Sequence, residues 1–421
     1  MSRPEQTPKH PQTPRASCHS PGTQHPYDRI TVEDLVDKGG IKWADDPEVI
    51  GAFIAETDFG VAEPIRRALR DLDARDLFGY APPWMIRDLQ QATAELYARE
   101  HGWEVPAERV APLPDVVAGF SAVLEIYTEP QAPVILPTPA YMPFLQVPAL
   151  HGREIIQVPM RREAEAAVPW RLDLEELDAA FAQCSEAAGL LVLCNPHNPT
   201  GKVHTREEML GISEVVHRHG GRVFSDEIHG PVVYSGARHL PYASLSERTA
   251  EHAITATAAS KAFNIPGLRC AQLIFSNDDD AARWLTHGTF VSKSAANPGM
   301  LATVAAYRES CDWAQETRDY LQGNRDELPG LLAEHLPGAS MILPEATFLA
   351  WIDISGVESP RLREAQERGE SAQEFFLREA AVHLTDGALC GAGWESHLRL
   401  NFGMPRPVLR EAFARMGRAI R

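Results

Sequence analysis

Three apolar runs in this chain end abruptly in polar clusters. Asn195-Pro196-His197-Asn198-Pro199-Thr200-Gly201-Lys202 follows Leu190 to Cys194, Asp226-Glu227-Ile228-His229 follows Arg222 to Ser225, and Ala258-Ala259-Ser260-Lys261 follows Ala253 to Thr257. A fourth polar group, Asp115, precedes an apolar stretch that it would cap as a helix over Val116 to Thr128. The clusters offer an amine at Lys261, a carboxylate at Asp226 and an amide at Asn198, and a guanidinium follows at Arg269 behind a Pro-Gly turn. Taken singly, each has a plain structural explanation: a turn-rich loop, a cap, a solvated lysine. Together and in this order they argue for a ligand site, because open α/β sheets bind ligands just past the carboxyl ends of their strands.

The elements that must position these groups follow from the hydrophobic pattern. From about residue 110 to 290, short apolar runs alternate with amphipathic helical segments, the signature of βα units around a largely parallel sheet buried on both faces. The runs are Pro133 to Leu136, Leu190 to Cys194, Arg222 to Ser225, Ala253 to Thr257 and Ala271 to Phe275, each too short for a helix. Thr205 and Glu208 form a capping box for the helix between the second and third runs, and Gly220 stops it. Beyond about residue 325, Leu/Glu/Arg helices with strands at Thr347 to Ile354 and Leu398 to Asn401 indicate a smaller α+β unit. The expected organisation is a Pro-rich disordered extension over 1–27, a segment 28–65 that packs with the small unit, a large domain over 66–320 and a small C-terminal domain over 321–421.

With 421 residues the chain exceeds what one hydrophobic core holds. Hydrophobic residues at 44% and charged residues at 23% are ordinary for a soluble globular protein, and no run approaches a membrane span. A net charge of -18 without a clustered basic stripe argues against nucleic acid as a partner. The six cysteines (Cys18, Cys184, Cys194, Cys270, Cys311, Cys390) are scattered, so reduced thiols are expected; Cys194, Cys270 and Cys390 read as small buried hydrophobes. The first 26 residues hold six prolines and no apolar signal core, which makes the cytoplasm the expected location.

The run Ser260-Lys261 to Gly267-x-Arg269, with Asn195-Pro-x-Asn-Pro-Thr-Gly201 and Asp226-Glu-Ile-His229 upstream, resembles the fold-type I pyridoxal 5′-phosphate enzymes of the aspartate aminotransferase superfamily. The resemblance covers nearly all of residues 28–421. Phe78-Gly79-Tyr80, Pro137 to Tyr141, Ser225 to His229 and His397 to Asn401 are similar to the MalY/PatB group of cystathionine β-lyases. The fold implied is α/β, with a large domain around a mostly parallel central sheet and a smaller α+β domain.

What the resemblance implies for each residue is specific. Lys261 holds the cofactor as a Schiff base and then removes the Cα proton. Asp226 keeps the pyridine nitrogen protonated, Asn198 donates to the ring's phenolate oxygen, and Tyr141 stacks on the ring. His229 stands where many aminotransferases carry a tyrosine, and its role as a tuning or a structural group stays open. The phosphate falls to the amides of Val116 and Val117, to Ser260, to Arg269 and to Tyr80 from a second subunit. Arg399 matches the arginine that binds the substrate α-carboxylate, and Thr57 and Phe348 fall in segments lining the substrate side chain. Two positions depart from the pattern. Ala258 stands where relatives often have serine, and Thr57 replaces an apolar residue, which suggests a substrate other than plain cystathionine.

The implied protein is a homodimer with shared active sites, acting on a small sulfur-containing amino acid with neither nucleic acid nor membrane as partner. The implied reaction is carbon-sulfur β-elimination from cystathionine or a cysteine S-conjugate. The alternatives are an aminotransferase of the same fold, a member that couples decarboxylation to oxidative deamination of an S-conjugate, and a scaffold that has lost turnover. Competing motifs fail on spacing: Gly201-Lys202 lacks the rest of a Walker loop, and Gly391-Ala392-Gly393 does not open a βαβ unit. No metal is expected, since His217 and His219 point to different helix faces and Asp278-Asp279-Asp280 reads as a solvated loop.

Overall fold

The computed structural model describes residues 24–44, 46–162, 170–184 and 187–421. Most of the Pro-rich extension, with Cys18, lies outside the described residues. Seven strands form the main sheet: β1 (Val110–Leu113), β2 (Val134–Thr138), β3 (Ile155–Pro159), β4 (Leu190–Cys194), β5 (Arg222–Asp226), β6 (Ala253–Thr257) and β7 (Ala271–Phe275). Their spatial order is β1-β7-β6-β5-β4-β2-β3. Strands β3, β2, β4, β5 and β6 pair in parallel, whereas β7 runs antiparallel to both β1 and β6.

Every residue of β2, β4, β6 and β7 is buried, which is why these strands appear in the sequence as unbroken apolar runs. Alternate side chains feed two cores. Leu190, Val192 and Phe224 pack on one face with Phe120 and Val123 of the helix Val116–Tyr127; Leu191, Leu193 and Val223 pack on the other with Met209, Ile212 and Val216 of Arg206–Arg218.

The small domain carries β8 (Ser340–Met341), β9 (Leu349–Asp353), β10 (Thr385–Asp386) and β11 (His397–Asn401), antiparallel throughout in the order β8-β9-β11-β10. The N-terminal segment joins it. Ile50 and Gly51 pair in parallel with Val382 and His383, and Tyr27 stacks on Phe59 with both rings against Tyr320. Leu35, Phe59 and Ile65 share a core with Phe348, Leu400 and Phe413.

Several expectations need adjustment. The strand expected from Thr347 starts at Leu349, because Thr347 has φ 69° and hands its N–H to Val232 O at 2.8 Å. The helix after Asp115 ends at Tyr127, with Thr128 as its extended C-cap. Strand β2 reaches Thr138, drawn out by its pairing with β3. Asp278-Asp279-Asp280 is not a solvated loop: it forms the first turn of a helix capped by Asn277, where the helix dipole favours negative charge, and Asp280 is buried against Arg222 at 2.5 Å. Disorder is expected over 1–27, but His25 to Tyr27 are ordered: Pro26–Arg29 forms a 3-10 turn with His25 as its cap. Among the described residues, no three His, Cys, Asp or Glu side chains gather as a metal site, and no helix is long and apolar enough to cross a membrane.

Candidate active site

The carboxyl ends of β1, β4, β5 and β6 lie along one edge of the sheet. Because β7 runs the other way, its beginning lies at that edge too, which carries Arg269 to the others. A cavity of about 770 Å³ opens there, and the small domain closes it from the far side with Thr385 and Arg399.

Lys261 sits in the turn after β6, with Nζ 2.9 Å from Ala55 O. Burial brings its amine down to about 8, further lowered by Arg399 and opposed by Glu56 and Asp226. Asp226 ends β5 with 4% of its surface exposed. Burial raises its carboxyl to about 6, although the Ile228 amide donates to Oδ1 at 3.2 Å and the Cys194 thiol lies 3.7 Å from Oδ2. Among the described residues no cation pairs with it.

Asn198 is presented by a loop that glycine makes possible: Gly201 has φ 70°, and a Cβ there would lie 2.3 Å from Pro344 Cβ. Lys202 is a strut of that loop rather than a ligand, its buried Nζ paired with Glu208 at 2.9 Å. Arg399, on β11, donates to Asn198 Oδ1 at 3.2 Å, Phe53 O at 2.7 Å and Thr385 Oγ1 at 3.1 Å. This fixes the Asn198 amide so that its NH₂ is left to donate elsewhere. Among the described residues, the buried Arg399 Nε and His229 Nδ1 have no hydrogen-bond partner.

At the end expected to take the phosphate, Asp115 caps the helix by accepting from Ala118 N at 2.7 Å and pairs with Arg269 Nη2 at 2.8 Å. Val116 and Val117 begin the helix at the cavity wall beside Ser260 and Arg269. The buried Ala258 lines the same wall and contributes no hydroxyl. Tyr141 is the N-cap residue of Met142–Leu150 and faces the cavity, its ring edge-on to Phe144. His229 also lines the cavity, with its imidazole pushed down to about 3 by burial and then by Lys261 and Arg399.

The structure thus gathers Lys261, Asp226, Asn198, Tyr141, His229, Ser260, Arg269, Arg399, Val116 and Val117 around one space. Three expected residues lie off its wall. Thr57 and Phe348 are buried behind it, Phe348 with its ring edge-on to His229, and Tyr80 is fully exposed on another face. The motifs contain Asn264 and Asn401 but assigned them no role; their amides brace the segment around Ala55. Their signal was slight: one follows Lys261 by three residues, and the other closes the strand that bears Arg399.

The donor set suits pyridoxal 5′-phosphate. An unpaired buried carboxylate with raised proton affinity matches a protonated ring nitrogen, and helix amides with a guanidinium match a phosphate dianion. The amine of Lys261 matches an aldehyde.

The profile of the class I and II aminotransferases matches residues 51–416. Cystathionine beta-lyase of Corynebacterium glutamicum is 34% identical over 386 residues, covering 91% of this chain and 98% of that protein. Cystathionine beta-lyase PatB of Bacillus subtilis is 30% identical over 397 residues, covering 92% and 98%. The crystal structure of the PLP-bound C-S lyase from Staphylococcus hominis superposes with a TM-score of 0.82 at 26% identity, covering 94% of this chain and 99% of that one. By its sequence, its fold and the groups at its sheet edge, the chain belongs to the class I and II aminotransferase family.

Proposed function

We propose that the chain is a pyridoxal-phosphate-dependent carbon-sulfur β-lyase that converts cystathionine or a cysteine S-conjugate to a thiol, pyruvate and ammonia. The observation that carries this reading is the placing of Lys261, Asp226 and Arg399 on one cavity in a chain a third identical to a cystathionine β-lyase. When bound, the cofactor supplies the electron sink for a Cα carbanion. Asp226 holds a proton at the ring nitrogen. Arg399 takes the substrate α-carboxylate, its Nη2 giving up its present acceptors, Phe53 O and Thr385 Oγ1, to become one prong of the guanidinium fork. Lys261 Nζ, close to half neutral near pH 8, takes the Cα proton. The Cβ–S bond then breaks with its electron pair leaving on sulfur. The remaining 2-aminoacrylate takes up water to give pyruvate and ammonia.

Purified enzyme mixed with a panel of cysteine S-conjugates should release thiol and pyruvate in equal amounts without an added keto acid. A strict requirement for a keto acid would replace this reading with transamination, and carbon dioxide without thiol would replace it with decarboxylative deamination. Arg399→Lys should lower kcat/KM by about a hundredfold, mostly through KM, because a point charge cannot reproduce the bidentate fork. Steady-state kinetics over a wide substrate range separates the two parameters.

A second copy completes the site in this reading. Tyr80 is fully exposed and Phe78 is 67% exposed, and Leu285 and Phe290 are also bare. Large apolar side chains left in water mark an interface, and Tyr80 would cross it to the partner's phosphate. Sedimentation should therefore give about twice the mass of the chain, and a monomer active at nanomolar concentration would sink the shared-site arrangement. We place the reaction in the cytoplasm, where the chain's thiols stay reduced.

A further inference from the structure

Residues 53–60 form no regular secondary structure, yet six of their carbonyls are taken by side chains from elsewhere in the fold. Arg399 Nη2 and Thr385 Oγ1 donate to Phe53 O at 2.7 and 2.8 Å. Asn401 Nδ2 donates to Ile54 O at 2.6 Å and Glu56 O at 2.7 Å. Lys261 Nζ donates to Ala55 O at 2.9 Å. Asn264 Nδ2 donates to Thr57 O at 2.8 Å and Gly60 O at 3.3 Å, and Asn264 Oδ1 accepts from Thr57 N at 3.0 Å. The segment is a strap held at one end by the carboxylate-binding strand and at the other by the turn that carries the lysine.

Asn264 is the joint between that turn and the strap. It stands three residues after Lys261 in the left-handed region, φ 57°, which asparagine tolerates better than most residues. There its amide grips both the N–H and the C=O of Thr57. Ala55 lies two residues back along the strap, and its carbonyl meets the lysine amine. Among the described residues, that carbonyl is the hydrogen-bond acceptor the amine has. We propose that Asn264 is a positioning residue for Lys261: by clamping the strap at Thr57 it sets where the Ala55 carbonyl stands, and so how the free amine is oriented when it captures the cofactor. The inference rests on the reading of Lys261 as the cofactor's anchor.

Cofactor-free full-length chain, mixed with pyridoxal 5′-phosphate, reports on this directly through the absorbance change of capture, read from pH 6 to 10. The groups facing the amine are Glu56 on the strap, Asp226 on β5, Arg399 on β11 and His229 after β5, and none of them is replaced in the variants. For the wild type, capture should rise with pH to half its plateau near about 8. Asn264→Gly keeps the backbone conformation and removes the clamp. Its midpoint should fall by about half a pH unit or more, since the carbonyl favours the charged amine. Its plateau rate should fall about tenfold as orientation is lost. If the glycine variant does not fold, Asn264→Asp serves in its place, read by the plateau rate: it keeps the acceptor for Thr57 N and loses both donors. A melting temperature lowered with midpoint and plateau both unchanged overturns the inference and leaves Asn264 a stabilising contact. Borohydride reduction and peptide mapping of the wild type complete the test. Label at a residue other than Lys261 would overturn the anchor reading and the inference with it, whereas label at Lys261 with unaffected variants overturns the inference alone.

Discussion

Lys261→Ala is expected to lower thiol release by about four orders of magnitude, because one substitution removes both the covalent anchor and the base. Lys261→Arg should be nearly as inactive: a guanidinium stays charged at any working pH and is neither nucleophile nor base. Both proteins should fold, since among the described residues the amine makes one hydrogen bond and the side chain lines a cavity rather than filling a packed core. Partial return of activity with a small primary amine in the buffer would identify the missing piece as the amine itself. A Lys261→Ala protein that releases thiol at the wild-type rate would remove the foundation of the proposed chemistry. The lowered amine also fixes a direction with pH. Its folded pKa of about 8 lies below the ordinary 10.5, so the neutral form the reaction needs grows as pH rises through about 8.

Asp226→Asn should have opposite effects on stability and activity. Burial raises the carboxyl from 3.8 to about 6, so the folded chain binds this proton more tightly than the unfolded chain does. The stability this confers is fully present below pH 3.8 and is lost as pH rises through about 6. At pH 7 the ionised, unpaired carboxylate therefore burdens the cofactor-free fold. At about 1.4 kcal/mol per pH unit, the burden is on the order of 3 kcal/mol. Cofactor-free Asp226→Asn should be the more stable protein at pH 7 by an amount of that order, and the difference should vanish near pH 4. Urea unfolding at the two pH values measures it. With the cofactor bound the order reverses, because an amide cannot hold the ring proton, and turnover should fall about a thousandfold. Equal stability of the two cofactor-free proteins at pH 7 would show that the carboxylate is better solvated than its burial indicates.

The same carboxylate shows what kind of information a sequence holds. Asp226 was identifiable because it ends an apolar run, and the burial of that strand on both faces is what raises its pKa. Local patterns carried the strands β4 to β7, the Thr205–Glu208 capping box and the Asp115 cap, since each is set by residues within a few positions of one another. The polar clusters at the strand ends were legible for the same reason, and so was most of the candidate site.

Other features depend on contacts between residues far apart in the chain. Strand β1 is four residues long and hard to tell from a loop until β7 pairs with it. The antiparallel course of β7, which delivers Arg269 to the edge bearing the candidate site, has no local signature, because an apolar run looks the same in either direction. The apolar run near Phe348 suggested a strand from Thr347, but the hydrogen bond from Thr347 N to Val232 O holds that residue out of it. The strap at residues 53–60 was invisible as a device because its groups are backbone carbonyls, which every sequence contains. The chain's own sequence thus determined which side chains could do chemistry and which elements bear them. The tertiary structure decided which carbonyls and which strand directions bring them together, since hydrogen bonds between distant segments are set by the packing of the whole fold.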